Sequence, residues 1–241
     1  MTDTPRWSTT GGLVFPRYVV GVDLAQSSDY TCFSFLERKG DPATYAVRHL
    51  ERFNGQPYTA VARRLADLVG RLLAESPRPE VEVVVDATGV GAAAIDVMRE
   101  ANIGAPLVPV LIHGGDRVSY EDGIYRTPKR DLISAVQVAM EAGRLRVNPD
   151  FAFATILTDE LAKFRRKTTA TGRDTYEAWR EDDHDDAVLA VALSVWFSEY
   201  KTSRGGEAIA ESWAHVGGQD RADAIDALWE ATWPSTSYDR R

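Results

Sequence analysis

The 241-residue chain holds one cysteine, Cys32, so no intramolecular disulfide can form. Cys32 lies in the apolar run Thr31-Cys32-Phe33-Ser34-Phe35, the setting of a small buried hydrophobe rather than a nucleophile. Long apolar runs are missing. Nothing approaches the roughly 20 residues that span a bilayer, and the segment from Met1 to Gly12 has neither the basic nor the apolar part of a signal peptide. These absences predict a soluble, intracellular protein that does not engage a membrane. The four histidines, His49, His113, His184 and His215, are dispersed, without an HExxH pair or cysteine partners for zinc. No GxxxxGK[ST] loop occurs, which excludes a P-loop ATPase, and Ser27 and Ser28 have no GxSxG context for a serine hydrolase. Gly89-Val90-Gly91 lacks the third glycine of a dinucleotide loop and reads as a tight turn into a helix.

Positive charge is also scarce overall. The net charge of −8 argues against a passive nucleic-acid binder. Yet Arg126 to Arg173 carries ten Lys/Arg against five Asp/Glu, and Glu181 to Asp186 packs five carboxylates into six residues. A basic strip beside an acidic knot suits an enzyme that grips phosphates and gathers metal ions, although a solvated charged surface has the same composition.

What is present is an alternation of strands and helices. Tyr18 to Leu24 is a β-branched run that reads as a buried strand. Tyr30 to Glu37 and Thr44 to Arg52 follow across tight turns, which predicts an antiparallel meander. A helix over Thr59 to Ala74 comes next, then a strand Val81 to Asp86, a helix Gly91 to Ala101 and a strand Leu107 to Ile112. That order predicts parallel neighbours. Pro128 marks a helix start, with Leu132, Ile133, Val136 and Met140 on one face as far as Gly143. Phe151 to Phe164 is predicted helical, Arg165 to Trp179 a basic hairpin, and His184 to Tyr200 a final helix with Val188, Val191, Ala192 and Val195 on its apolar side. The expected architecture is one α/β domain over residues 18–200, flanked by an N-terminal arm (1–17) and a tail (201–241). The tail carries Trp213, Trp229 and Trp233, with a candidate helix near Ala222 to Ala231.

Three acidic positions stand out. Asp23 closes the first strand among valines, Asp86 ends the fourth, and Asp185 and Asp186 open the last helix. Carboxylates at strand ends and a helix start can converge on one edge of a sheet, where ligands usually sit. Mg²⁺ takes one or two carboxylates plus water and substrate phosphate, and a pair of such ions supports in-line phosphoryl displacement. Each acid has a structural alternative: a helix-dipole charge for Asp185 or Asp186, a cap for Asp86. Asp23 is the hardest to explain otherwise, since a buried aspartate needs a partner. Lys129, Arg130, Lys163, Arg165, Arg166 and Lys167 are candidate phosphate contacts.

Tyr18-Val-Val-Gly-Val-Asp23, Val83-Val-Val-Asp86-Ala-Thr-Gly-Val-Gly91 and His184-Asp-Asp-Ala-Val-Leu-Ala190 resemble the three motifs of the nuclease domain of bacteriophage terminase large subunits, over about Arg17 to Tyr200. The resemblance implies an RNase H-like, RuvC-like fold: a mixed sheet of three antiparallel strands followed by parallel ones, with helices on both faces. It implies metal-binding roles for Asp23, Asp86 and either Asp185 or Asp186, served by two Mg²⁺ or Mn²⁺ ions. Asp29 and His184 are possible accessories, and the predicted hairpin would lie beside the active site. The implied activity is endonucleolytic cleavage of double-stranded DNA with little sequence preference. The implied partners are a packaging ATPase, the small terminase and the portal, in the cytoplasm of a bacterial host. The packaging ATPase that usually precedes this domain has no counterpart here, so cutting rather than autonomous translocation is expected. A RuvC-like resolvase of branched DNA and a non-catalytic assembly module of the packaging motor are the alternatives.

Overall fold

Alternation along the strands decides which face of the sheet each residue joins, and the helices that cover those faces follow from it. The computed structural model describes residues 17–24, 30–40, 42–75, 79–148, 151, 153–171 and 185–202. In chain order these form β1 (Arg17–Asp23), β2 (Tyr30–Lys39), β3 (Thr44–Asn54), α1 (Tyr58–Leu73), β4 (Glu80–Asp86), α2 (Gly91–Glu100) and β5 (Leu107–His113). Then come β6 (Ser119–Glu121), β7 (Ile124–Pro128), α3 (Lys129–Glu141), β8 (Leu145–Val147), α4 (Ala154–Thr171) and α5 (Asp186–Thr202). Residues 1–16 and 203–241, with most of the expected arm and tail, lie outside the described residues, as do Asp29 and His184.

The strands make one mixed sheet in the order β6-β7-β5-β4-β1-β2-β3-β8. The meander β1-β2-β3 is antiparallel, while β4 joins β1, and β5 joins β4, in parallel. One face, including Val20, Val22, Phe33, Val83 and Val85, packs against Val61, Leu65 and Val69 of α1 and Ile95 and Met98 of α2. The other, including Val19, Cys32, Val84 and Val110, packs against α3, α5 and the α4 residues Leu157 and Leu161. The result is three layers with helices on both faces, the RNase H-like arrangement. No helix among the described residues is long and apolar enough to cross a membrane.

The structure differs from the sequence expectation in four places. The stretch from Arg165 is not a hairpin: α4 continues to Thr171, so the first half of the expected hairpin is helical, and 172–180 lie outside the described residues. Lys163-Phe164-Arg165-Arg166-Lys167 contains no breaker, and the first glycine after it is Gly172. A hairpin β6-β7 instead forms around Asp122 and Gly123, whose φ values of 53° and 79° are those of a type I′ turn. The three-residue β8, also unforeseen, pairs in parallel with the edge of β3. Finally, α5 is buried nearly all round rather than on one side: Asp186, Ala187, Val188 and every residue from Ala190 to Ser198 are shielded. A helix apolar around its circumference belongs in a core, and α5 lies between the sheet and the helices α3 and α4.

Gly21 makes that burial possible. A Cβ added there would meet the Ala190 carbonyl oxygen at 1.8 Å and Ser194 Oγ at 2.5 Å. The helix backbone therefore lies directly on β1. Other contacts fix its direction: Lys201 Nζ reaches Glu82 Oε1 at the start of β4 (2.6 Å), while Tyr45 donates to Glu199 (2.6 Å). Tyr125 of β7 packs edge-on against Trp196, Phe197 and Tyr200. So α5 runs against β1 and β4, with its first residues over their C-terminal ends. Gly21→Ala is expected to cost at least about 1–3 kcal/mol, the range for core overpacking, because a backbone oxygen cannot rotate aside. Urea denaturation of the purified variant checks this, and a loss of only a few tenths would contradict it.

Candidate active site

Strand register assembles the site. Val110 pairs with Asp86, Asp23 with Cys32, and Cys32 with Arg52. The β1-β4 pairing runs through Val22↔Val85, so Asp23 and Asp86 stand next in line. Directly opposed residues project to the same face. Asp86, Asp23, Cys32 and Arg52 thus form one row across four strands, on the face covered by α5. The start of α5 lies over this row, and Asp185 and Asp186 are there. Three distant stretches of chain meet at one edge of the sheet.

Asp86 is buried, with 7% of its surface exposed. Desolvation raises its pKa above the ordinary carboxylate value, opposed by hydrogen bonding to Thr88 and by the charge of Lys129. The Thr88 N–H donates to Asp86 Oδ1 (2.7 Å), and the Ile112 N–H donates to Thr88 Oγ1 (2.7 Å), which ties the turn after β4 to β5. The turn needs Gly89 and Gly91 at φ 74° and 78°, conformations that side chains resist. This accounts for the glycines without a nucleotide. A carboxylate held in so dry a place favours a neighbouring cation.

Asp186 is committed elsewhere. Arg52 Nη2 and Nε both donate to its Oδ2, at 2.9 and 3.2 Å, and both side chains are largely buried. The guanidinium also stacks on the Tyr30 ring, 3.9 Å from its centroid. Asp23 and Asp185 are half-buried. Burial raises the Cys32 thiol well above its ordinary pKa, and the negative charges of Asp23, Glu160 and Asp186 add to that shift. The thiol is fully buried, as the apolar run around it suggested.

Two residues that the sequence did not flag complete the site. Arg52 is one. The other is Glu160 of α4, whose Oε2 accepts from the N–H groups of Ala187 (3.0 Å) and Val188 (3.1 Å) in the first turn of α5. Glu160 is buried, and its pKa rises to about 7, chiefly through desolvation. A signal for it existed: an acid beside Leu157 and Leu161 falls on the inward face of α4.

The basic candidates separate. Lys129 opens α3 close enough for its charge to act on Asp86. Arg130 donates to Asp116 Oδ1 (2.6 Å) and to its carbonyl oxygen (2.9 Å). Lys163, Arg165, Arg166 and Lys167 lie on the distal part of α4, where the backbone alone is described. Among the described residues no three His, Cys, Asp or Glu side chains stand together as a ready-made metal cage. Mg²⁺ does not require one: it is commonly held by one or two carboxylates completed by water and substrate phosphates. The oxygen-only donors Asp23, Asp86 and Asp185, with the dry setting of Asp86, fit such an ion.

Two outcomes follow. Arg52→Ala leaves Asp186 buried without its cation and should cost about 3–5 kcal/mol, read by chemical denaturation; a near-neutral result would contradict the pairing. Glu160 binds its proton more tightly folded than unfolded, so its contribution to stability is full below about 4.5 and is lost as pH rises through about 7. Glu160→Gln should therefore gain stability relative to the parent as pH rises across that window. A constant difference in melting temperature between the two from pH 4 to 8 would refute this assignment.

The family model for the terminase RNase H-like domain matches residues 20–195. Among solved structures, the human cytomegalovirus terminase nuclease domain, Mn soaked, aligns at 15% identity with a TM-score of 0.52, covering 81% of this chain and 90% of that one. The large terminase nuclease from the thermophilic phage G20c aligns at 24% identity with a TM-score of 0.46, covering 74% and 81%. A comparison with curated proteins gives no match. With the family match spanning most of its length and all three acidic motifs, this chain belongs to the terminase RNase H-like domain family.

Proposed function

We propose that this chain is a metal-dependent endonuclease that cuts double-stranded DNA with little sequence preference, as the nuclease component of a phage packaging terminase. The observation that carries it is the cross-strand row placing Asp23 beside Asp86 under the start of α5. We assign residues 18–200 to the nuclease domain, with 1–17 and 201–241 as flanking segments. Double-stranded DNA would be the substrate, with a packaging ATPase, small terminase and portal as partners in the cytoplasm of a bacterial host.

Asp23, Asp86 and Asp185 would hold two Mg²⁺ or Mn²⁺ ions. When bound, such ions would supply activation of a water and charge stabilisation at the phosphate for an in-line displacement. The protein's own groups do the positioning. The Thr88 N–H fixes the Asp86 carboxylate. Arg52 neutralises the Asp186 charge, and we assign Asp185 as the ligand of the pair with Asp186 as its support. Lys129, whose charge acts on Asp86, would meet a phosphate oxygen together with the basic stretch of α4 from Lys163, which begins one turn beyond Glu160. Arg130, in an exposed pair with Asp116, would be a further phosphate contact.

Asp23→Asn, Asp86→Asn and Asp185→Asn should each abolish nicking of supercoiled plasmid in Mn²⁺ while circular dichroism stays unchanged, and chelation of the metal should silence the parent protein. Cleavage retained by Asp23→Asn would overturn the assignment. Faster cutting of four-way junctions than of linear duplex would instead favour a resolvase, and no nicking by the parent chain an assembly module.

A further inference from the structure

The first turn of α5 is capped from outside. Asp185 stands at the N-cap: its carbonyl oxygen accepts the Leu189 N–H at 2.9 Å, the first bond of the helix. An aspartate at that position ordinarily turns its own carboxylate back to the second or third N–H of the helix. In α5 those are the N–H groups of Ala187 and Val188, and both donate to Glu160 Oε2, from a residue 27 positions away on α4. Glu160 is otherwise an expensive residue to keep. It is 7% exposed, and its second oxygen, Oε1, is buried with no hydrogen-bond partner among the described residues. An apolar side chain would suit the inward face of α4 but could not accept these bonds.

We propose that Glu160 is a positioning residue for the metal site: by holding the first turn of α5 from α4 it fixes where the Asp185 carboxylate sits. This rests on Asp185 being a ligand, as assigned above. Two supports act on the same turn from opposite sides. Glu160 holds the backbone N–H groups from α4, and Arg52 holds Asp186 from β3. Asp185 lies immediately before both, so removal of either support shifts the position from which its carboxylate addresses Asp23 and Asp86.

The test is Mn²⁺ binding to the full chain by isothermal titration calorimetry without DNA, alongside plasmid nicking against Mn²⁺ concentration. Glu160→Ala should weaken Mn²⁺ binding by about 10–100-fold, the usual effect of losing a group that orients a metal ligand. The Mn²⁺ concentration for half-maximal nicking should rise in parallel. Glu160→Gln, which keeps an acceptor oxygen, should stay within about threefold of the parent. If Glu160→Ala does not fold, Glu160→Asp, whose carboxylate is withdrawn by one methylene, carries the test and should also weaken binding. Unchanged Mn²⁺ affinity in a folded Ala or Asp variant overturns the proposal, as does equal weakening by Ala and Gln, which would mark a charge effect rather than a cap. Asp185→Asn separates the two levels. If it abolishes Mn²⁺ binding while the Glu160 variants bind normally, the cap proposal alone falls; if it binds and cuts normally, the assignment of Asp185 as ligand falls.

Discussion

The contact between the backbone of β1 at Gly21 and the backbone of α5 at Ala190 is the constraint from which the site follows. Helices usually stand about 10 Å from the sheet they cover, held off by side chains on both sides. At Gly21 there is no side chain, and the helix settles until its carbonyl occupies the space a Cβ would need. The same approach buries the helix nearly all round and aligns it against β1 and β4. Its first residues then fall over the strand ends that carry Asp23 and Asp86. A fold that kept the strands but held α5 a few ångströms higher would keep the carboxylates and move Asp185 and Asp186 away from the row of Asp23 and Asp86.

Around that contact the molecule keeps acidic groups where folding alone would not. Asp86, Glu160 and Asp186 are all buried, and desolvation opposes ionisation of Asp86 and Glu160. Each has a specific local support: the Thr88 N–H for Asp86, two helix N–H groups for Glu160, the Arg52 guanidinium for Asp186. Buried ionised groups are weak sources of stability, and in many proteins they are retained for function instead. The aliphatic packing of α5 against the sheet supplies the stability that such an edge consumes.

The sequence made the frame legible because the frame is periodic. Valine-rich runs ending in aspartate identified β1 and β4, the tight turns identified the meander, and Pro128 and Gly143 bounded α3 closely. The Asp122-Gly123 hairpin carries an equally clear dipeptide signal, but its flanking strands are too short for a periodic pattern to show. The hairpin expected at Arg165 failed for the opposite reason: turn residues beyond Thr171 were allowed to define a segment whose beginning is good helix. At the site, Asp23, Asp86, Asp185 and Asp186 were all found as candidates. The Arg52–Asp186 pair is not legible, because Arg52 is brought to Asp186 only by the β2-β3 register. Glu160 likewise gains its meaning from a helix 27 residues further on. Long-range partners of polar groups leave almost no local trace, whereas backbone periodicity does.

The central claim is that Asp23, Asp86 and Asp185 address one common space at the edge of the sheet. Anomalous diffraction from crystals of this chain soaked in Mn²⁺ measures it most directly. The expected result is a pair of manganese peaks bounded by those three carboxylates, with Asp186 still on Arg52. Manganese bound elsewhere, or carboxylates turned to opposite sides of the sheet, would contradict it.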